Sequence, residues 1–442
     1  MPYKKSSKHP TITLYIRLLL CLCFLISPIN SSAKTPTLKM DANPLGDNAD
    51  YNEDLLEESF DFDDEFRRKN SDIHEDEIHP GTDKRLKYRT IPNNPIDNQG
   101  YPIKTAQIIA IGVDNRTLDI LHGLGYTVIH ERWLKGLRLN VVTLSIPSNL
   151  TAPQALAILR KKDPNSLYDL NHLYHVDSTP KISRDTLNPQ IHSRTANEGK
   201  TVGLIDTALE RAHPALQKAS LHHRDFVTEK QPRPTAHGTA IASQLVSQVD
   251  RLYSASVFYQ DAQLRNHASV AGLTSAIDWL IEKKVAIINM SLSGPPNQLL
   301  HFIIRQASQR GHLIVAAAGN QGPASPPLYP AAYPEVVAVT AVDKQQRIYR
   351  RANRGDHVEV AAIGVTLRTA DSTGGYTTNS GTSFAAPTVS AWLANTLQQP
   401  DPEQAQQVRR ELHRKSKDLG IAGHDPVFGH GLISDHALEA LP

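Results

Sequence analysis

The chain has 442 residues, which exceeds one ordinary domain and predicts two or three folded units. Hydrophobic residues make up 40% and charged residues 21%, a globular balance, and the formal net charge of +2 gives no overall electrostatic case for binding nucleic acid or a membrane surface. The two cysteines, Cys21 and Cys23, both lie in an N-terminal apolar stretch, so composition excludes a cysteine protease and a disulfide framework in the remaining chain.

The N-terminus has the pattern of an export signal. Three lysines precede a short apolar segment at residues 18–26, and small residues follow at 31–33. The apolar segment is shorter than the roughly 20 residues that a membrane-spanning helix needs. We therefore predict a signal peptide over residues 1–33 and an exported protein, periplasmic or extracellular, with no membrane contact after cleavage. An uncleaved N-terminal membrane anchor is the alternative.

Residues 34–99 are predicted to form an acidic, disordered spacer. Eleven Asp or Glu and no Lys or Arg occur between Asp41 and Glu65. Such a segment repels itself and has little apolar surface to bury, so we expect no stable fold. It serves either as a solvated spacer or as an acidic interaction tail.

Residues 100–177 show the element order of a small α+β domain. Thr151 followed closely by Pro153 predicts the capped start of a helix. The whole order is strand–helix–strand–strand–helix–strand, which is the ferredoxin-like motif. The predicted segments are 106–112, 115–124, 126–133, 137–146, 151–162 and 166–175.

Beyond an exposed connector at 178–200, residues 201–442 alternate apolar strands with helices. This alternation is typical of a parallel sheet covered by helices on both faces, in which active sites gather at the carboxyl ends of the strands. Strands are predicted at 201–206, 285–292, 312–319 and 335–342, and helices after His237 and at 268–283 and 297–310.

Three short motifs in this second part supply the components of a nucleophilic serine site. Asp206 ends an apolar strand, His237 begins the sequence His-Gly-Thr before a helical run, and Ser383 opens another helix. A serine hydroxyl needs a base to remove its proton, and a buried carboxylate orients the histidine that does so. Each motif alone is more often a turn, a cap or a helix start. Together they predict a catalytic triad.

Two groups are predicted to stabilise the oxyanion that forms when serine attacks a carbonyl. The helix start at Ser383 offers free N–H groups and the positive end of a helix dipole. Asn320 follows an apolar strand, where its side-chain amide can act as the second donor.

With these motifs, residues from about 200 to 440 resemble the subtilisin-like (S8) serine peptidase family. Matching stretches include INMSLSGP, VAAAGNQGP and SGTSFAAPTVSA, and the order Asp, His, Ser is that of subtilisin. The resemblance implies a serine endopeptidase that acts on polypeptides without a cofactor, on a three-layer α/β fold with a mostly parallel sheet. Asp206, His237, Ser383 and Asn320 take the roles of acid, base, nucleophile and oxyanion donor.

The resemblance also implies a substrate cleft. One edge strand would pair with an extended peptide, and a pocket would hold the side chain before the scissile bond. The implied cleft residues are Ser291, Leu292, Ser293, Ala317, Gly319 and Leu328. Ser293 stands where the family usually has Gly, and Leu328 where a small residue often forms the pocket floor. We therefore predict a shallow pocket for small or medium apolar side chains.

No metal site is predicted. In the family a calcium loop often follows the helix of the catalytic histidine, but here that helix runs quickly through residues 244–258 without an oxygen-rich loop. His213, His222 and His223 lack a suitably spaced third ligand for zinc, so surface or packing roles are predicted for them.

Proenzymes of this family often carry a small α/β pro-domain. The resemblance therefore implies that residues 100–177 act as an intramolecular inhibitor, with the end of that domain in the cleft and self-cleavage within 175–200. A permanent accessory domain is the alternative. Two other functions stay open: a degenerate peptide-binding domain, and a triad esterase, which the motif order and the absence of G-x-S-x-G disfavour.

Overall fold

The computed structural model describes residues 94–176, 181–185, 199–227, 233–262 and 264–433. These residues belong to one compact unit within Asn43–Pro442. The predicted signal peptide, nearly all of the predicted acidic spacer and much of the connector lie outside the described residues. Below, residues 94–176 are called the N-terminal module and residues 199–433 the C-terminal module.

The N-terminal module has the predicted element order. Its four strands form an antiparallel sheet in the order β2-β3-β1-β4. The elements are β1 (Ile103–Ile111), α1 (Asn115–Gly123), β2 (Thr127–Leu134), β3 (Leu139–Ser145), α2 (Ala152–Lys162) and β4 (Leu167–Tyr174).

Local sequence explains the helix starts of this module. Asp114 caps α1, because its Oδ1 accepts a hydrogen bond from Thr117 N at 2.7 Å. Thr151 caps α2 in a reciprocal pair with Gln154, and a proline occupies the first turn as predicted.

Alternation along β1 buries both faces of its sheet. Ile108 and Ala110 pack into the module's own core with its two helices. Ile109 and Ile111 point the other way, into a core shared with helices of the C-terminal module. The N-terminal module is therefore packed tightly onto its neighbour.

The C-terminal module is built on a parallel sheet of seven strands in the order β14-β13-β12-β11-β6-β8-β7. Near-continuous apolar strands form its centre, as predicted. The strands are β6 (Thr201–Asp206), β7 (Ser220–Asp225), β8 (Arg251–Ser256), β11 (Ile287–Met290), β12 (Leu313–Ala317), β13 (Val336–Val342) and β14 (Val360–Ile363).

Helices cover both faces of this sheet, which makes the three predicted layers. One core lies under α4 and α5, and the other lies under α3, α6 and α7. The helices are α3 (Ala236–Val246), α4 (Val270–Glu282), α5 (Gln298–Gln309), α6 (Thr382–Ala394) and α7 (Pro402–Lys415), with a short 3₁₀ helix at Pro214–Lys218. Among the described residues, none of the helices combines the length and the apolar character that crossing a membrane requires.

Five short strands connect the modules or border the cleft. Strands β10 (Asn266–Ser269) and β9 (Phe258–Gln260) extend the N-terminal sheet beyond β4. Strands β15 (Leu367–Ala370) and β16 (Tyr376–Asn379) form a hairpin, to which β5 (Lys181–Asp185) adds a third strand. Strand β16 ends only four residues before Ser383.

The helix of His237 ends earlier than the sequence indicated. It stops at Val246, and a four-residue connection leads to β8 at Arg251. The stretch 251–256 is a central parallel strand rather than a continuation, because it pairs with both β6 and β7. Because its residues mix polar and apolar types, hydrophobic periodicity did not predict this strand.

Candidate active site

The structure brings Asp206 and His237 into direct contact. Asp206 is the last residue of β6, at the carboxyl end of the sheet, and His237 is the second residue of α3. His237 Nδ1 lies 2.8 Å from Asp206 Oδ1, and both side chains are buried. A proton on Nδ1 held by the carboxylate leaves Nε2 as the basic nitrogen. Within the described part of the chain, Nε2 makes no hydrogen bond, so it is not committed elsewhere.

A threonine network locks the aspartate and histidine segments together. Thr207 Oγ1 accepts hydrogen bonds from Thr235 Oγ1 at 2.6 Å and from Gly238 N at 2.9 Å. A Cβ at Gly238 would lie 2.5 Å from the Thr207 carbonyl oxygen, so only glycine allows this approach. Asp206 Oδ1 also accepts from Thr207 N at 2.7 Å.

Ser383 occupies the first turn of α6, at the helix end where backbone N–H groups are free. The helix begins at Thr382, and Gly381 adopts a φ of 154° just before it. The Phe384 ring lies 5.8 Å from the His237 ring, between centroids, so the helix start faces the imidazole. Ser383 and His237 are not joined by a hydrogen bond in the described residues, and such bonds often tighten only when substrate is bound.

Asn320 lies beside the same helix start. Its Oδ1 accepts hydrogen bonds from Thr382 N at 2.9 Å and from Thr382 Oγ1 at 3.1 Å. Thr382 Oγ1 in turn accepts from Gly319 N at 3.1 Å. Because the amide oxygen is fixed on Thr382, the amide nitrogen is the group that can donate to a bound oxyanion.

A buried polar chain supports Ser383 from the sheet side. Ser291 Oγ donates to the Ser383 carbonyl oxygen at 3.0 Å and accepts from Asn289 Nδ2 at 2.9 Å. Asn289 Oδ1 accepts a hydrogen bond from Ser390 Oγ at 3.0 Å, and Ser390 lies about two helical turns beyond Ser383 on α6. The hydroxyl of Ser291, a predicted cleft residue, thus supports the helix that carries Ser383 rather than facing a substrate.

The edge strand at Ser293 is paired with the end of the N-terminal module. His175 N donates to Ser293 O and Ser293 N donates to His175 O, each at 2.9 Å. Just before it, Tyr174 is fully buried over Gly294, and its hydroxyl donates to Pro295 O at 2.6 Å. The opposite edge is β10, which pairs Ala268 with Tyr174. The tail of β4 therefore lies between two strands as an added strand.

The predicted pocket residues lie together behind Asn320. Leu328 is buried, and its Cδ1 lies 2.6 Å from where a Cβ of Gly319 would be. Gly319 has a φ of 106°, and Asn353 contacts the same position. Ala317 ends β12 beside them, while Leu292 is buried in the core that lies under α4 and α5.

Two buried carboxylates join the modules. Asp169 of β4 accepts a hydrogen bond from Gln298 N, the first residue of α5, at 2.6 Å. Asp278 of α4 accepts from Leu137 N at 2.9 Å, in the β2–β3 turn. Burial raises the pKa of Asp278, and hydrogen bonds from the turn oppose that shift. The carboxylate of Asp169 is also stabilised by the dipole of α5, because it lies at the N-terminus of that helix.

The histidines outside the triad have other partners. His213 is buried, with Nε2 lying 2.8 Å from the Gly375 carbonyl oxygen and its ring edge-on to Tyr376. His223 contacts Asp225 and Ser254, and His222 stacks on Tyr253. In the part of the chain that the structure describes, no group of three metal-ligating side chains converges.

The segment after the helix of His237, where the family often has a calcium loop, is short in this chain. Only Ser247–Asp250 join α3 to β8, and Asp250 accepts a hydrogen bond from Lys200 N there. Four residues do not supply the six to eight oxygen ligands that calcium needs, so they do not fit such a site.

Sequence reasoning missed the residues that position the site. Thr207, Thr235 and Gly238 fix Asp206 against His237, and Thr382 fixes Asn320. Thr207 directly follows Asp206, and Gly238 and Thr382 lie in the motifs around His237 and Ser383, so a hydroxyl or glycine adjacent to a predicted catalytic residue was the available signal. Tyr174 and β10 carried no such signal.

A family model described as the subtilase family (Peptidase_S8) matches residues 197–431. Among curated relatives, the minor extracellular protease Epr of Bacillus subtilis (strain 168) is 30% identical over 312 residues, which cover 64% of this chain and 48% of that protein. Subtilisin E of the same organism is 28% identical over 298 residues, covering 63% of this chain and 76% of the relative.

Among solved structures, fervidolysin from Fervidobacterium pennivorans, a keratinolytic enzyme related to subtilisin, matches with a TM-score of 0.61 and 19% identity. The match covers 79% of this chain and 63% of that one, and at this identity it shows the fold alone. The chain spans about half the length of Epr. Because the family model covers more than half of the chain, this protein belongs to the subtilase family, the S8 peptidases.

Proposed function

We propose that this protein is an exported serine endopeptidase that hydrolyses polypeptides through an acyl-enzyme on Ser383. The observation that carries the proposal is the 2.8 Å contact between Asp206 and His237, located in front of the helix that begins at Thr382 and carries Ser383 in its first turn. Family membership supports the reaction class.

In the proposed mechanism, His237 Nε2 removes the proton of the Ser383 hydroxyl as its oxygen attacks the carbonyl carbon. Asp206 stabilises the imidazolium that forms. The oxyanion receives hydrogen bonds from the Asn320 side-chain amide and from N–H groups at the start of α6. His237 then gives its proton to the leaving amine, and water hydrolyses the acyl-enzyme by the same steps.

We propose that a substrate binds as an extended strand in the place now taken by Tyr174 and His175. The two main-chain hydrogen bonds at Ser293 support this pairing. Leu328 against Gly319 supports a shallow pocket for small or medium apolar side chains before the scissile bond. Cleavage of a peptide library tests this, and a strong preference for Arg or Phe in the pocket would contradict it.

We propose that the N-terminal module inhibits the enzyme until it is cut off. The chain pairs with the C-terminal module at His175 and again at Lys181, which is opposite Thr378 of β16. The proposed cleavage is therefore at a peptide bond between Val176 and Lys181, inside the window of 175–200. Determining the N-terminus of the exported protein tests both this bond and the proposed signal peptide.

Two assays on the exported protein separate this function from its alternatives. A fluorophosphonate should label Ser383, and casein should be hydrolysed. Failure to label would indicate a degenerate peptide-binding domain, while labelling with turnover of esters but not peptides would indicate an esterase.

A further inference from the structure

A strongly basic loop borders the candidate active site. The connection between β13 and β14 carries five Lys or Arg and no Asp or Glu between positions 344 and 354. Arg347 is held by Asp343, with Nε 2.8 Å from Oδ2. Three others are exposed, and none of them forms an ion pair within the described residues: Arg350, Arg351 and Arg354. Below, these three are called the arginine rim.

Two members of the arginine rim occupy the corner of a tight turn. Ala352 N donates to Tyr349 O at 2.9 Å, which leaves Arg350 and Arg351 as the central residues of the turn. Side chains at turn corners project into solvent, so both guanidinium groups are available to a ligand.

The turn is fixed to the loop that carries Asn320. The Arg351 carbonyl oxygen accepts a hydrogen bond from Gly322 N at 2.9 Å, two residues beyond Asn320. Asn353 continues the pairing, because its N donates to Gly319 O at 3.0 Å and its Oδ1 accepts from Gln321 N at 2.8 Å. The rim is therefore built onto the segment that would hold the oxyanion.

We propose that the arginine rim selects substrates with acidic side chains close to the scissile bond. The inference rests on the proposed peptidase function and adds the substrate class. Guanidinium groups bind carboxylates in bidentate geometry, and a cluster of one sign beside a cleft raises the local concentration of oppositely charged ligand. A protein substrate would thus be cut preferentially where Asp or Glu lie near the cleaved bond, outside the apolar pocket that holds the side chain before it.

The expected size of this selectivity is modest, because the rim is solvent-exposed. Exposed charge pairs contribute up to about 1 kcal/mol each, so an acidic substrate should gain about five- to tenfold in kcat/KM at low salt. The gain should shrink as salt rises from about 0.01 M to about 0.5 M, where screening removes long-range attraction.

The test compares three internally quenched peptides on the active enzyme as it is purified. The peptides share one cleavable core with Ala directly before the bond, and they carry Glu, Gln or Lys at the next positions outward on both sides. The variant is the triple change Arg350→Gln, Arg351→Gln and Arg354→Gln. The matched control is Lys344→Gln with Arg347→Gln, which removes two charges from the same loop but leaves the rim intact.

We expect the Glu peptide to exceed the Gln peptide, and the Gln peptide to exceed the Lys peptide, in the wild type and in the control. The triple variant should cleave all three peptides with about equal kcat/KM. A wild type without charge preference, or a triple variant that keeps it, would overturn the inference. Turnover of the Gln peptide reports the proposed function separately, since failure to cut any peptide would contradict peptidase activity itself.

Discussion

The two modules differ in the sequence signals that predict them. The C-terminal module is predicted from side chains with proposed catalytic roles, Asp206, His237, Asn320 and Ser383, each placed at a strand end or a helix start. The N-terminal module has no such residues and is identified by element order alone. Their structures differ in parallel: one holds a buried polar site, and the other contributes a strand to it.

We therefore expect turnover and the docking of the N-terminal module to be separable properties of this protein. Substitutions at the C-terminal polar site should abolish turnover without loosening the interface. Substitutions at the interface should weaken docking without touching the triad.

The largest effect is expected at the nucleophile and base. Replacing Ser383 or His237 by Ala should lower kcat on the order of 10⁶-fold, the scale known for subtilisin. Steady-state hydrolysis of a peptide substrate measures it. The control Ser416→Ala removes a hydroxyl that donates to Leu412 O at a distant helix end, and should keep full activity. Residual turnover within tenfold of the wild type would contradict the triad.

Asn320→Ala should lower kcat by about 10²–10³-fold, because one donor to the oxyanion is lost. KM should change little, since the ground-state carbonyl depends less on this donor. The matched control is Asn395→Ala, at the exposed residue that follows the end of α6, and it should be silent. If Asn320→Ala were silent as well, the oxyanion assignment would be wrong.

Acid should destabilise the C-terminal module through His357. Burial lowers its pKa to about 4 in the folded protein, against 6.5 for an unperturbed imidazole. The unfolded state therefore takes up a proton first, so stability is lost as pH falls from 6.5 toward 4 and levels off below. The loss amounts to at most about 3 kcal/mol.

Guanidinium unfolding of the Ser383→Ala protein across that pH range checks the histidine prediction. His357→Gln should make the free energy of unfolding depend less steeply on pH between 6.5 and 4. The same change at the exposed His122 of α1 in the N-terminal module should leave the profile unaltered. If His122→Gln reduced the pH dependence of unfolding and His357→Gln did not, the prediction would be wrong.

Gly136→Ala should weaken docking of the N-terminal module. A Cβ there would lie 2.8 Å from the Asp278 carbonyl oxygen and 2.9 Å from Ile281 Cγ2. Overpacking of this kind costs about 1–3 kcal/mol. Amide hydrogen exchange in the Ser383→Ala background should show faster exchange at β10 and α4. Gly123→Ala is the control, because a Cβ there meets nothing within 4 Å.

The smallest effect is expected for Tyr174→Phe. It removes only the hydroxyl that donates to Pro295 O, so docking should weaken by about 1 kcal/mol. The same exchange measurement detects it. An unchanged exchange rate would mean that the hydroxyl contributes no net stabilisation at the cleft edge.

The positions of the proposed catalytic residues at strand ends and helix starts, and the order of most elements, were predictable because each has a local cause. Thr151 caps its helix by a short-range hydrogen bond, and Asp206 ends a strand whose own residues are mostly apolar and buried. The parallel strand at 251–256 was not predictable, because its residues mix charge, hydroxyl and apolar types. Its identity depends on pairing with strands far away in the chain.

Positioning contacts escaped prediction for the same physical reason. Thr382 fixes Asn320 across 62 positions, and Asp278 meets Leu137 across 141 positions. Such contacts follow from the completed fold rather than from any window of sequence. The sequence predicted that the end of the N-terminal module lies in the cleft but named no partner for it. The structure adds a specific main-chain pair, His175 with Ser293.

The most direct test of the account is the intact mass of the exported protein, compared between the wild type and Ser383→Ala. The account predicts a wild-type chain cut between Val176 and Lys181, and a Ser383→Ala chain in which the two modules remain joined. Identical processing of both proteins, or an active wild type that is never cut, would contradict it.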